Sequence, residues 1–341
     1  MDTSDARIAL SGVPASPYTR KMLSVLRYRH IPYRLIIGSH GLQSLPQAKV
    51  SLLPTFYLPD AEGTLQAVTD STPIIRRLEG MYAERSIRPT DPALAFLDAL
   101  LEDYGDEWLT KAMFHYRWHY ADDIARSSAV LPAYRGRMTD AQLKAAGDQF
   151  SGRQIPRLRY VGSNETTWDL IEASYTRFLD AMEAHLVTHG FLLGGRPGAC
   201  DFGVQGQLTQ LVLFDPTPMA IAAARAPRVF AWTAAADDLS GLEPSDADWF
   251  KPSALPDTLI AILKEVGRVY APLLIANARA VQSGADEVRT EIDGQAWVQQ
   301  PFTYQAKCLM WLRAEYGALD AASRGQVDAA LAGTGCEVLF A

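Results

Sequence analysis

The chain predicts an α/β N-terminal domain, an all-helical second domain and an additional, mainly helical C-terminal lobe. Three observations carry this. Between residues 7 and 80 short apolar strand runs alternate with amphipathic helical stretches, the pattern of an α/β layer. Arg88-Pro89-Thr90-Asp91-Pro92 then interrupts the chain, because proline disfavours helix on both of its sides. Beyond it the apolar periodicity is mostly helical, and it resumes after residue 255 around a short hairpin signal.

Taken in order, residues 8–10 read as a short buried strand and 17–29 as an amphipathic helix carrying Met22, Leu23, Val25 and Leu26. Residues 33–37 form a strand, and the Gly/Ser/Pro-containing stretch 38–51 a loop with room for one helical turn. Strands at 55–58 and 65–68 are joined across Pro59-Asp60-Ala61-Glu62-Gly63, and a helix at 72–83 closes the unit. Residues 93–124 carry Phe96, Leu97, Leu100, Leu101, Tyr104 and Trp108 at three- and four-residue spacing, which is one buried stripe. The stretch 127–165 reads as irregular, with one short helix at 140–146. A long helix follows over 167–189, with Leu170, Ile171, Tyr175, Phe178, Leu179, Met182 and Leu186 on one side. Residues 191–202 lead into a helix that runs through Leu211. Residues 255–280 and 302–316 are helical, and between them 288–292 and 295–299 flank Asp293-Gly294, a two-residue hairpin turn.

Composition narrows the function classes. With 48% hydrophobic and 21% charged residues, the 341-residue chain has the make-up of an ordinary soluble globular protein. A net charge of −7 supplies no electrostatic attraction for nucleic acid or for an anionic membrane surface. No apolar run approaches the roughly 18 residues of a membrane span. Met1-Asp2-Thr3-Ser4-Asp5 is acidic and lacks an apolar signal core. Three widely separated cysteines, Cys200, Cys308 and Cys336, suit a reducing compartment without structural disulfides. A cytoplasmic protein that binds neither nucleic acid nor membrane is expected.

Three short segments carry chemistry. Ser16-Pro17-Tyr18 places a hydroxyl where a strand and loop give way to a helix, at free backbone N–H groups. Leu53-Pro54 precedes a strand, and Asp70-Ser71 stands at the start of a further helix. In residue type and spacing these segments resemble the thioredoxin-like N-terminal domain of the glutathione transferase superfamily, with Ser16-Pro17-Tyr18 similar to the Ser-Pro-Phe of tau-like members and to the serine of zeta-like ones. The resemblance implies a glutathione-binding domain over 1–85, an all-helical substrate domain over 92–245, and an atypical extension over 246–341 that it does not cover. It also implies a serine or threonine cap three residues before Asp201. Gly198 stands there instead, so half of the usual capping box is missing.

The resemblance assigns roles residue by residue. Ser16 would donate to the glutathione thiolate. A free thiol has a pKa of about 8.5, and one charge-assisted hydrogen bond of roughly 1.5–3 kcal/mol lowers it by about one to two units. Pro54 would follow a cis bond that turns the Leu53 backbone toward the cysteinyl part, and Asp70 and Ser71 would receive the γ-glutamyl end. Lys49 would reach the glycyl carboxylate. The same residues also read as a plain helix cap at Ser16, a trans proline at a strand start, an N-cap at Asp70-Ser71 and a solvated lysine. Acceptor-site candidates are Tyr18, Tyr116, Trp118 and Tyr120; the rings of 114–120 serve equally as core. His115, His119 and Asp122 share one helical face, yet the chain offers no clear fourth ligand, so no metal is expected. The implied function is attack of the thiolate on a small hydrophobic electrophile or a peroxide, by a homodimer. A non-catalytic glutathione-transferase-like binding or scaffold protein, and a glutathione-dependent lyase or isomerase, are the alternatives.

Overall fold

The computed structural model describes residues 7–38 and 41–341. The acidic start Met1–Asp5 lies outside the described residues. Strand β1 (Ile8–Ser11) is buried along its whole length, as a central strand covered on both faces must be. It pairs in parallel with β2 (Tyr33–Ile36) and antiparallel with β3 (Thr55–Pro59), which in turn pairs antiparallel with β4 (Leu65–Val68). The sheet order is β2-β1-β3-β4. Helices α1 (Pro17–Tyr28) and α2 (Ser71–Met81) bury Met22, Val25, Leu26, Ile74 and Leu78 with Leu10, Phe56 and Leu58 in one core. This is a thioredoxin-like domain. Within 41–51 the chain makes turns and bends and no helix.

The remainder is helical. The stripe over 93–124 is not one helix: α3 (Pro92–Tyr104) passes through a π turn at Gly105–Leu109 into α4 (Thr110–His119), and α5 (Ala121–Val130) starts anew after Tyr120. Gly105 sits where helices cross; a Cβ there would come 2.9 Å from the Val204 nitrogen. The segment 127–165 is also mostly helical, through a 3-10 turn at Leu131–Arg135, α6 (Asp140–Gln154) and a second 3-10 turn at Ile155–Val161. Its contact with α5 runs through Gly147 against Ser128, small residues that leave no apolar stripe to read. Then follow α7 (Trp168–His185), α8 (Ala199–Leu211), α9 (Pro216–Arg225) and α10 (Pro227–Ala235).

Beyond residue 255, α11 (Asp257–Glu265) joins α12 (Ala271–Ser283) through a π turn at Val266–Tyr270, not as one continuous helix. Gly267 in that turn meets the backbone of Thr334 and Cys336. The hairpin β5 (Val288–Ile292) and β6 (Gln295–Gln299) forms around Asp293-Gly294, followed by α13 (Thr303–Ala318) and α14 (Ala321–Leu331). This last segment shares one hydrophobic core with the helices before it: Leu97, Leu101, Phe178 and Leu208 cluster with Leu259, Leu273, Leu312, Leu331 and Leu339. Trp108 packs against Trp297 with ring centroids 5.5 Å apart.

Helix α8 joins the sheet domain to the helical body, and Phe202 of α8 lies in the core of the sheet domain. Its crossing with α1 needs Gly206, where a Cβ would sit 2.7 Å from the Pro17 carbonyl oxygen. At the α8 start Asp201 accepts the Gly198 and Leu192 N–H groups, each at 2.9 Å. The missing half of the capping box comes from elsewhere: Asp98 of α3 fills the space of a cap side chain, and its Oδ1 accepts the Cys200 N–H at 2.9 Å. A side chain on residue 198 would collide with that carboxyl, which accounts for glycine there.

Candidate active site

Ser16 precedes Pro17, whose fixed φ suits the first helical position and whose missing N–H is no loss there. The Ser16 Oγ accepts the Thr19 N–H at 3.3 Å and donates to the Leu53 carbonyl at 3.4 Å. The Leu53–Pro54 peptide bond is cis, the isomer the resemblance implies. With Thr19 capped and Pro17 lacking a donor, the Tyr18 N–H is the first-turn donor without an intrahelical acceptor.

Ser16, Tyr18 and Leu53 line a cleft of about 920 Å³ between the sheet domain and α4, the 3-10 turn at Leu131–Arg135 and α6. Trp118 and Phe114 form part of its far wall. The Tyr18 phenol itself is engaged, donating to the Asp106 carbonyl at 2.8 Å, and burial holds its pKa well above the ordinary tyrosine value. Asp70, Ser71 and Lys49 do not line the cleft. Asp70 adopts φ 83 and its Oδ2 accepts the hydroxyl of Tyr304 on α13 at 2.7 Å. Ser71 is buried, and its Oγ accepts from the Lys21 ammonium at 3.2 Å. Lys21 also donates to Glu102 at 2.7 Å and Asp106 at 2.5 Å. Burial alone would lower the Lys21 pKa, but these two carboxylates outweigh it and raise it. Lys49 is exposed on its loop.

Two of the other ring candidates belong elsewhere. Tyr116 is 1% exposed within the helical core, and Tyr120 donates to Glu172 at 2.6 Å. The structure brings neither to the cleft. His115 is a core histidine with both ring nitrogens engaged, by Ser163 at 2.8 Å and Glu172 at 3.0 Å. Burial, its largest influence, lowers its pKa. Among the described residues no group of three His, Cys, Asp or Glu is arranged to hold a metal ion.

Several residues that position the site carry no sequence motif. Arg117, 4% exposed, binds Asp215 through Nε at 3.0 Å and Nη2 at 2.9 Å, and donates from Nη1 to the Ala15 carbonyl at 3.2 Å. Gln210 and Arg20 donate to the Pro14 carbonyl at 3.3 and 3.0 Å. These three side chains fix the loop that presents Ser16. The only sequence signal for Arg117 was a charge inside an aromatic helical run, which points as readily to a solvated position.

A thioredoxin-like sheet domain is thus set on a helical body, with Ser16 at the mouth of α1 beside Leu53-Pro54. Residues 10–86 match the family model described as the glutathione S-transferase N-terminal domain. Among solved structures, the chain is similar to a GST-like protein from Pseudomonas syringae at 17% identity and TM-score 0.41, over 68% of this chain and 66% of that one. The overlap thus spans just under two thirds of that protein. It is also similar to a glutathione transferase family member from Pseudomonas fluorescens, solved with two glutathione bound (14% identity, TM-score 0.43, 68% and 89% covered). A β-etherase from Sphingobium sp. strain SYK-6 is a third (15% identity, TM-score 0.46, 67% and 93% covered). No curated protein matches the chain. Among the described residues no helix is long and apolar enough to cross a membrane.

Proposed function

We propose that the chain is a serine-type glutathione transferase, with 1–85 binding glutathione, 92–245 forming the substrate domain and 246–341 an extension packed onto both. The observation that carries this is the Ser16 hydroxyl at the α1 N-terminus, 3.4 Å from the Leu53 carbonyl and on the wall of a large cleft. Glutathione fits at its sulfur end: a hydroxyl, the free Tyr18 N–H and the positive end of the helix dipole all favour an anion there. The thiol gives its proton to solvent and the thiolate accepts from Ser16. Sulfur then attacks an electrophilic carbon, a C–S bond forms, and the leaving group departs with its electron pair. Peroxide reduction, and a lyase or isomerase reaction, begin from the same thiolate. Trp118 and Tyr18 are the acceptor-side residues on the cleft. Assembly as a cytoplasmic homodimer belongs to the same reading, supported on the compartment by three free, buried cysteines.

A second reading has its own observation. Asp70 already accepts from Tyr304 and Ser71 from Lys21, so the two groups assigned to the γ-glutamyl end have protein partners. That favours a glutathione-transferase-like scaffold. Retention on immobilised glutathione, followed by turnover of a generic aryl electrophile in wild type and Ser16→Ala, decides between them. Retention with Ser16-dependent turnover supports the enzyme; no turnover in a folded wild type supports the scaffold; no retention removes the enzyme reading.

A further inference from the structure

The cleft carries a charge that the chain as a whole does not. Although the net charge is −7, the described lining residues include three arginines, Arg117, Arg135 and Arg153, and no aspartate, glutamate or lysine. Arg117 is spent on Asp215 and the Ala15 carbonyl. The other two guanidinium groups have no acidic partner among the described residues, and both are exposed.

Arg135 and Arg153 converge from separate elements on one ring. Arg135 ends the 3-10 turn after α5 and Arg153 lies near the end of α6, and they stand 5.7 and 5.6 Å from the centroid of Phe150. Phe150 packs on Trp118 at 5.7 Å and Trp118 on Phe114 at 6.3 Å, with ring planes tilted 59° and 54°, so a row of aromatic rings runs along the wall to the two cations. The turn bearing Arg135 is also set against the sheet domain. Gly38, at φ +76, follows β2, and a Cβ there would lie 3.3 Å from the Arg135 carbonyl oxygen.

We propose that this half of the cleft recognises a planar aromatic carboxylate, so that the acceptor is an anionic aryl electrophile and not a neutral hydrophobic one. The assignment deepens the transferase reading and rests on it. Stacking on the aromatic row supplies the non-directional part of the affinity. A guanidinium is a planar fork that matches a carboxylate, and two unpaired ones beside apolar rings discriminate an acid from its neutral analogue. The tripeptide offers the same carboxylate chemistry at its glycyl end, so the test separates the two sources.

The experiment is binding of naphthoate and of naphthylmethanol to the full chain without glutathione, followed by tryptophan quenching. Glutathione binding to the same samples is measured by calorimetry. Naphthoate is expected to bind at least about tenfold more tightly than the alcohol, and to weaken as salt is added. In the Arg135→Gln/Arg153→Gln variant that preference falls to about twofold or less while glutathione affinity is retained. Circular dichroism reports that the variant is folded, and both replaced side chains are exposed. Equal binding of the two probes to the wild type overturns the proposal. So does a preference that survives the double substitution, or a loss of glutathione affinity with the naphthoate preference intact, which would give the arginines to the glycyl carboxylate. Because the naphthoate arms involve no glutathione and no turnover, failure of the transferase reading leaves them interpretable.

Discussion

The Ser16 hydroxyl has one proton to give and two lone pairs to accept with, and the fold gives it a partner of each kind at long range. Its bonds to the Thr19 N–H and the Leu53 carbonyl, at 3.3 and 3.4 Å, are longer than the usual N–H···O and O–H···O optima respectively. Re-aiming the proton at a thiolate therefore forfeits little and gains a charge-assisted bond. Ser16→Ala is expected to raise the pKa of bound glutathione by about one to two units. Turnover below that pKa then falls by about tenfold to a hundredfold, and lost capping costs about 1 kcal/mol of stability. Thiolate absorbance against pH checks this, and a titration identical to wild type would rule out the role. Arg117 acts one step back. Arg117→Met leaves Asp215 buried without its cation, a loss of about 3–5 kcal/mol. Burial already raises the Asp215 pKa, and without Arg117 it rises further. A carboxyl raised in the fold stabilises below its unfolded pKa and loses that contribution as pH rises through the folded value. Denaturant unfolding of this variant should thus show a smaller deficit in acid than at neutral pH.

At the level of elements, the start of α8 shows how one position answers to another a hundred residues away. Asp98 caps α8 from α3, and burial pushes its carboxyl up to about 8, with Glu102 adding to the shift. Glu107 on the π turn is likewise pushed up to about 8, by burial first. Both folded pKa values lie above the unfolded ones, so the fold holds extra protons between about pH 4 and 8. The stability they contribute is complete below that window and disappears as pH climbs through it. Asp98→Asn keeps the acceptor oxygen and removes the titration. Its melting temperature should gain on wild type above that range and change little below it. An unchanged pH profile would show that Asp98 does not titrate in the fold. The same long-range logic decides what could be read in advance. The four strands, α1 and the hairpin around Asp293-Gly294 were legible because their signals are local: alternation, a Ser-Pro start, a turn dipeptide. Over 127–165 only the start of α6 was read, as a short helix at 140–146, since α6 docks through Gly147 and Ser151 and carries no apolar stripe. A local signal existed in the Thr139–Gln142 capping box, where Thr139 Oγ1 accepts the Gln142 N–H at 3.3 Å and Gln142 returns the bond at 2.9 Å. The π turns were hidden for a different reason: Gly105 and Gly267 are explained only by the backbones they cross. In the site, Ser16 and Leu53-Pro54 announced themselves by type and spacing, whereas Arg117, Gln210 and Tyr304 matter through partners distant in sequence.

Across the whole molecule, the last segment is bound to both parts that precede it. Tyr304 donates to Asp70, Arg76 of α2 pairs with Glu315 of α13, and Tyr270 donates to Asp103 of α3 at 2.6 Å. Phe340, next to the C-terminal residue, stacks on Tyr316 and meets Phe96 edge-on, with centroids 4.6 and 5.3 Å apart. Cys308, Leu309, Leu312, Val327, Ala330, Leu331, Cys336 and Leu339 are all nearly inaccessible within the core that also contains Leu97 and Leu101. Burying one such leucine or valine side chain is worth about 1.5–3 kcal/mol, and a whole domain is stable by only about 5–15 kcal/mol. Removing the segment after Gln299 therefore subtracts more than the margin of the helical body and exposes the α3 face that Phe96 and Leu97 now close. The truncated chain should show no cooperative thermal transition and little near-ultraviolet circular dichroism, where the full chain melts with a sharp one. A truncated chain that still melts cooperatively would mean that the shared core is divisible and that the first three hundred residues fold unaided.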